Sequence, residues 1–401
     1  MQIAVDARFL GSANSGVARY SENLLVAMSR IDRANQYTVF VHHRLKRKLK
    51  LGENFTIVRV KGHPLSIRSM WQLSRMVRPE AFDLLHVLFP YVSIRARCPV
   101  MLTVHDTLPF SREQIGFGPK RGPQSWLRRY VLYPLALRRA KWIICVSRAT
   151  RDALAELFPE TFHRTLVVHS GVNEDFRQAA EEATLELIRS RLNLPPRYLL
   201  YSGSARSDKN IEGMLRAFAR LRQLNDSMDD LHFLMDIQGH EYPLKPIMNR
   251  IAQYGLEGRV RIIQDIGDEE RVVLFQHAAA FLILSRTEGF GIPILEAQMC
   301  GVPVVAADAM ALPEVAGEQG ALYVDPDDLD ETVRLLGLAL TDDGLREYLI
   351  AEGRKNANRF SWAKAAEQIV QIYEFGFYPR HQVELPHRRP WLTRLADALR
   401  I

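Results

Sequence analysis

One stretch, AAAFLILSRTEGFGIPILEAQMCGVPVV at residues 278–305, limits the possible folds more than any other part of the chain. Residues 278–284 form a short apolar run that includes Phe281, the pattern of a strand buried on both faces. Pro293 followed by Ile-Leu-Glu-Ala-Gln-Met reads as a helix opening on proline, and Val302-Pro-Val-Val starts a second strand directly after it. A helix between two strands makes them parallel, because a tight hairpin cannot join them. Glu288, Gly289, Phe290 and Gly291 then fall in the strand-to-helix loop, at the carboxyl end of the strand. The unpaired N–H groups of the following helix point at that edge, and glycine lets backbone approach a ligand with no Cβ in the way.

The same alternation runs along the whole chain in two series. Residues 2–7, 37–41, 55–60, 84–89, 99–104 and 142–147 read as strands, separated by helices such as 17–31 and 126–139. A second set of strands follows at 197–203, 231–237, 259–263, 279–284, 302–307 and 321–324, with closing helices at 328–340, 344–358 and 362–375. The expected fold class is α/β, with two doubly wound, Rossmann-like domains facing each other across a cleft. The first spans 1–171, a polar linker 172–196, and the second 197–375.

A 401-residue chain with 47% apolar residues can bury two sizeable cores. The opening MQIAVDARFL is strand-like and has neither the basic leader nor the cleavage site of a signal peptide. No apolar run approaches the roughly 18 residues of a membrane span. Cys98, Cys145 and Cys300 sit far apart in apolar strands or a helix, as buried thiols of a reducing compartment rather than metal ligands or a redox pair. A cytoplasmic location is expected. Charge is uneven: residues 1–170 hold 27 Lys and Arg against 11 Asp and Glu, a balance of +16, whereas the remaining 231 hold 26 against 35, a balance of -9. The first domain therefore faces an anionic surface or ligand. Nucleic acid is not expected, since no zinc knuckle, helix-turn-helix or aromatic-interleaved RNA motif is present.

Glu288 and Glu296 stand eight residues apart, one in the loop and one about a turn into the helix. Carboxylates that act together on a glycosidic bond lie roughly 5 to 9.5 Å apart across one ring, whereas this placement suits two ends of an elongated ligand. Alone, Glu288 would read as a helix cap and Glu296 as part of a solvated face. The E-x7-E frame around GFGIPIL gives the binding reading instead. Gly16 lies in a turn before the helix VARYSENLL, where backbone can approach a diphosphate, and YLLYSG leads into SARSDKNIEGML, which puts Lys209 near a helix start. Lys209 and Glu288 are expected on a cleft rather than in a core.

Together these stretches resemble the family 4 retaining glycosyltransferases, which have the two-domain GT-B fold. The marks are SGVARYSENL, TVHDTLPF, ICVSRATRDAL, VVHSGVNEDF, YSGSARSDKNIEGML, EGFGIPILEAQMCGVPVVAAD, LPEVAGEQGALYVDPDD and FSW, in one order over nearly the whole chain. The resemblance implies a nucleotide-sugar donor as co-substrate, no separate cofactor, and transfer that forms an α-linkage. It makes Lys209 the group that neutralises the leaving diphosphate, with Gly16 and the backbone of Gly289, Phe290, Gly291 and Ile292 on the donor. Glu288 would hold sugar hydroxyls and Glu296 ribose hydroxyls. His105 falls where the family touches the donor sugar, and Ile266, in QDIGDEE, where it presents backbone to the nucleobase. Asp106 either orients an acceptor hydroxyl or caps a turn. Many members carry an arginine directly after the strand glycine; Ser204 stands there in this chain, and Arg206 could reach the same charge. Asp325 and Asp327 precede a helix and read as caps, so no metal site is expected. The terminal segment 376–401 is expected to pack back on the first domain, as in GT-B proteins.

Within the family the resemblance is to mannosyl-type enzymes of bacterial surface polysaccharide assembly, with GDP-mannose as donor and a glycan or polyprenyl-diphosphate-linked acceptor. A UDP- or dTDP-sugar is the alternative donor. A nicotinamide dehydrogenase would need G-x-G-x-x-G after the first strand, where ARFLGSANSG stands. A non-catalytic sugar-nucleotide binder would share these features, and so would a sugar-nucleotide epimerase, which is distinguished by forming product without any acceptor. RLKRKLK at 44–50 and WLRRYVLYPLALRRAKW at 126–142 alternate cations with apolar side chains, as does the terminal PWLTRLADALRI. They suit reversible docking on the anionic cytoplasmic face of a membrane, against the simpler reading of core-packed helices with solvated outer faces.

Overall fold

The structure is a computed structural model that describes residues 1–11, 16–91, 97–107, 126–178, 181–239 and 243–375. The segment 376–401, with its expected packing and its basic helix, lies outside the described residues, as do residues 108–110 of TVHDTLPF. The chain divides into two compact units.

The first unit is built on a seven-stranded parallel sheet: β1 (Gln2–Asp6), β2 (Gln36–His42), β3 (Phe55–Val60), β4 (Leu84–Val87), β5 (Val100–Val104), β6 (Trp142–Cys145) and β7 (Thr165–Val167). Their spatial order is β3-β2-β1-β4-β5-β6-β7, and Val5 of β1 sits opposite Val39 on one side and His86 on the other. β4 and β5 are buried along their whole length because helices cover both faces, whereas the edge strand β3 is buried only at its ends. Expected and observed strands coincide to within about two residues. β7 was not expected; it is a three-residue edge strand, too short to show a pattern of its own. The helix expected at 126–139 contains a π-helical turn at Arg128–Leu132 before its α-helical part, Tyr133–Arg139. Pro134 accounts for it, since proline donates no N–H and cannot continue the α-helical ladder from the turn before it.

The second unit has six parallel strands: β8 (Tyr198–Gly203), β9 (His232–Ile237), β10 (Val260–Ile263), β11 (Ala280–Ile283), β12 (Val304–Ala307) and β13 (Leu322–Val324). Their order is β10-β9-β8-β11-β12-β13. Ile211, Met214, Leu215, Phe218 and Leu221 recur at helical spacing in the helix Ile211–Leu224 and are all buried in one core with Phe233 and Met235 of β9.

The unit boundaries differ from expectation in two places. Residues 172–196 are not a free linker, because the second unit runs over Val172–Phe360. Two of their apolar side chains anchor them: Phe176 is buried against Phe275, rings 5.5 Å apart and edge-on, and Ile188 is buried in the helix Glu182–Arg191, while Leu187 stays exposed. The helix Trp362–Phe375 does not close the second unit but belongs to the first, against the helix Gly16–Ile31. Trp362 meets Tyr20 edge-on at 5.5 Å, and the Tyr373 hydroxyl lies 2.5 Å from His86 Nδ1. His86 is fully buried, and that burial, aided by nearby His105, pushes its pKa down to about 3, so the ring is neutral. Its Nε2 lies 2.9 Å from Thr103 Oγ1. Each sheet reverses its strand order once, between β1 and β4 in the first unit and between β8 and β11 in the second. Such switch points leave a crevice at the carboxyl ends of the strands, where ligands bind.

Candidate functional site

In the second unit two loops flank the switch point, one after β8 and one after β11. After Gly203 the chain makes a short 3-10 turn, Ser207–Lys209, before Asn210 caps the helix Ile211–Leu224. Asn210 takes the left-handed conformation at φ +53° and its Oδ1 accepts from Gly213 N at 3.2 Å. The loop after β11 delivers Glu288, and Gly291, at φ +95°, turns the backbone into the helix Ile292–Cys300. A Cβ on Gly291 would come within 3.0 Å of Leu312, so both backbone and space require glycine there.

These loops meet through their charged groups. The Lys209 ammonium pairs with Glu288 Oε2, lies 3.3 Å from Asp208 Oδ2, and reaches the Thr287 carbonyl at 3.4 Å. Arg206 donates to both oxygens of Asp208, from Nε at 2.9 Å and Nη2 at 2.8 Å. The Asp208 carbonyl in turn accepts from Arg286 N at 2.8 Å, which ties the β8 loop to the β11 loop through backbone. Burial pushes the Asp208 carboxyl upward, but Lys209 and Arg206 outweigh it and hold its pKa below the ordinary carboxylate value. Sequence reasoning passed over Asp208; an acid directly before a lysine carries no signal unless the loop is known to fold back on itself.

The other expected residues divide between the units. Lys209 is not an exposed cleft residue but buried, at 6% exposure. Glu288 is half-buried. Arg206 is half-buried and committed to Asp208 rather than standing as a spare cation at a helix start. Glu296 is 1% exposed, so it is no solvated helix face. Gly289, Phe290 and Gly291 are buried and Ile292 half-buried; Phe290 packs edge-on against Phe360 at 5.8 Å. Ile266 is half-buried in the loop after β10, outside the core. Asp325 Oδ1 accepts from Asp327 N at 3.0 Å and Asp327 pairs with Arg286, so these two carboxylates shape a turn. Gln298, also buried, donates to the carbonyls of Ala316 (2.7 Å) and Gly320 (2.9 Å) and accepts from Asn356 at 2.8 Å, fixing the loop of the LPEVAGEQG stretch.

Gly16, His105 and Asp106 belong to the first unit. Gly16 is the exposed first residue of its helix, and a Cβ there would meet nothing within 4 Å. Among the described residues, nothing therefore requires glycine at that position. His105 follows β5 and packs edge-on against Tyr20 at 4.7 Å. Its Nε2 lies 2.9 Å from the Leu88 carbonyl, which only accepts, so Nε2 carries the proton. Burial lowers its pKa, which keeps the ring neutral near pH 7 and leaves Nδ1 as an acceptor. Asp106, next to it, is half-buried.

A cavity of about 280 Å3 also opens in the second unit, with Arg206, Asn210, Arg286 and Asp327 among its walls but neither Lys209 nor Glu288. It lies beside the charged group rather than at it. Among the described residues no cluster of three or more His, Cys, Asp or Glu is placed to hold a metal ion. No described helix is long and apolar enough to cross a membrane.

Two parallel sheets, each flanked by helices and each reversing order once, are the GT-B architecture. Residues 186–356 match the family model described as glycosyl transferases group 1, and residues 14–176 match glycosyltransferase family 4. The chain belongs to the family 4 glycosyltransferases. It is 31% identical over 240 residues to the O-antigen chain mannosyltransferase B of Escherichia coli, a match covering 60% of this chain and 62% of that protein. It is 26% identical over 270 residues to the serotype-specific mannosyltransferase WbdA of Escherichia coli, covering 67% of this chain and 32% of that one. The chain thus spans between a third and two thirds of the length of these relatives. Among solved structures, HepE of Anabaena in complex with UDP-glucose superposes with a TM-score of 0.69 at 19% identity, covering 93% of this chain and 99% of that one. At that identity the likeness speaks to the fold alone.

Proposed function

We propose that this protein is a retaining glycosyltransferase that moves mannose from GDP-mannose to a glycan or a polyprenyl-diphosphate-linked acceptor, forming an α-linkage. The observation that carries this reading is the meeting of Lys209 and Glu288 at the β8–β11 switch point. A nucleoside diphosphate leaves readily once its charge is offset, so the site needs cations and amides rather than a proton-donating acid. In this reading Lys209 offsets the diphosphate, helped by backbone around Gly16 and Gly289–Gly291. Glu288 accepts from sugar hydroxyls, and Glu296 from the ribose. His105 Nδ1 accepts from a further sugar hydroxyl, Ile266 presents backbone to the base, and Asp106 orients the acceptor. Attack comes from the face the diphosphate leaves, with a phosphate oxygen taking the acceptor proton.

The mannosyltransferase names of the sequence relatives support mannose. Transfer from a UDP- or dTDP-sugar is the alternative. A thermal-shift panel of GDP, UDP, dTDP and their sugars separates the two, because a ligand at a hundred times its dissociation constant adds about 2.7 kcal/mol of stability. GDP-mannose should give the largest shift. No shift with any diphosphate, or no transfer with a matched donor and acceptor, would sink the reading; product without acceptor would indicate an epimerase.

The basic first unit docks on anionic lipid in the same reading. The helical stretch from residue 126 keeps Tyr133, Ala136 and Leu137 for the core, yet leaves Trp126 59% and Tyr130 43% exposed, with Arg129 over the Tyr130 ring and Arg138 also exposed. In RLKRKLK, Leu45 and Leu49 are buried while Lys46, Arg47, Lys48 and Lys50 are exposed. Aromatic side chains at a headgroup boundary with cations around them give reversible, salt-sensitive attachment.

A further inference from the structure

Resting on the donor-site reading above, we propose that Asp208 is a positioning residue that lets Lys209 be handed from Glu288 to the donor diphosphate. One ammonium here serves two carboxylates of unlike character. Asp208 is 4% exposed, its oxygens are held by the Arg206 fork, and its carbonyl is tied to Arg286 N. Glu288 has a longer side chain, 21% exposed, on the loop across the switch point. Of the two, only Glu288 is free to swing.

The handover follows from the roles assigned to the pair. If Glu288 is to accept from sugar hydroxyls and Lys209 is to face the diphosphate, the two must give each other up when the donor arrives. Without Asp208, Lys209 would lose its other carboxylate at that moment and its long side chain would be free to follow Glu288 or extend into solvent. With Asp208 it stays tethered at 3.3 Å by a group that does not itself touch the donor. Arg206 and Lys209 against Asp208 and Glu288 sum to zero charge. Asp208 therefore also restrains ground-state attraction for the diphosphate, holding back binding in favour of placement in the transition state.

This double role has a signature that damage to the fold cannot produce. Calorimetric titration of GDP and UDP into the full-length protein, with turnover measured alongside, tests it. Asp208→Asn removes one negative charge and keeps the size, so the preferred diphosphate should bind about tenfold more tightly. The same variant should lose on the order of tenfold or more in kcat, because Lys209 is no longer held. Opposite movement of affinity and kcat is the expected result. If Asp208→Asn melts cooperatively near wild type yet weakens binding and kcat together, or changes neither, Asp208 is a fold-holding residue only and the proposal falls. Should that variant not fold, Arg206→Gln carries the test: it removes a cation but leaves Asp208 on Lys209, so diphosphate binding should weaken about tenfold and kcat should fall by less than binding does. Tighter or unchanged binding in Arg206→Gln would overturn the proposal. Failure of the wild type to bind either diphosphate would instead overturn the donor-site reading beneath it.

Discussion

Lys209→Ala should cost both stability and activity, and the two losses have different causes. The side chain is 8% exposed and joins two carboxylates, so truncation leaves Asp208 and Glu288 sharing a site without the ammonium between them. Breaking a buried ion pair costs about 3 to 5 kcal/mol. Two features reduce that here: Asp208 keeps both Arg206 bonds, and Glu288 is 21% exposed and can turn to water. A loss of about 2 kcal/mol remains, or about 4 to 8 °C in the melting of a unit this size. The burial of Lys209 is the reason this substitution costs stability as well as activity. The pH dependence follows from Asp208. Burial raises its pKa, Lys209 and Arg206 lower it by more, and the net value lies below the ordinary one. A carboxylate with a depressed folded pKa contributes stability that is present above its unfolded pKa, about 3.9, and is lost as pH falls through the folded value. Lys209→Ala removes the largest lowering influence, so the gap to wild type should be fully open at pH 7 and narrow below about pH 4. Scanning calorimetry at both values reads this directly. Turnover at pH 7 should fall by about a hundredfold or more, for want of charge stabilisation at the leaving diphosphate. A wild-type melting temperature at pH 7, or a gap that widens on acidification, would refute the argument.

Gly291→Ala forces a side chain to φ +95° with Leu312 at 3.0 Å; it should cost about 1 to 2 kcal/mol by denaturant titration, and no loss would mean the loop can relax. Tyr373→Phe deprives buried His86 of its hydroxyl partner and should cost about 1 to 3 kcal/mol in the same assay, an effect absent if His86 re-pairs. Co-sedimentation with vesicles should require anionic lipid, fall with salt, and weaken when Arg129 and Arg138 become glutamine; indifference to anionic vesicles at low salt would point to a soluble acceptor. Excess chelator should leave turnover nearly unchanged, and strict dependence on added magnesium or manganese would count against the assigned chemistry.

Most of the fold was legible because its signals are local. Apolar runs such as residues 279–284, helix spacing such as Ile211 to Leu221, and glycines at strand ends each declare themselves within a few residues. The loop positions of Glu288 and Lys209 were legible for the same reason, whereas their pairing across 79 residues of sequence was not. What escaped was set by contacts remote in sequence. Asp208 matters because Arg206, Lys209 and Arg286 converge on it, and Gln298 because Ala316, Gly320 and Asn356 do. The allegiance of Trp362–Phe375 could not be read from its amphipathic pattern, which fits either sheet; Tyr20 and His86 in the first unit decide it.

That last helix imposes an order on synthesis. The first sheet is complete in sequence by Val167, yet the helix that supplies Trp362 and Tyr373 leaves the ribosome only after the whole of Val172–Phe360. At about 5 to 20 residues per second, the roughly 190 intervening residues hold it back for about 10 to 40 s. During that interval the face that Tyr20 and His86 share with it waits uncovered, while the stretch Val172–Phe360 of the second unit can fold on emergence. The nascent chain should therefore present its first half to chaperones longer than its second, and a stop before residue 361 should trap the first half in that unfinished condition.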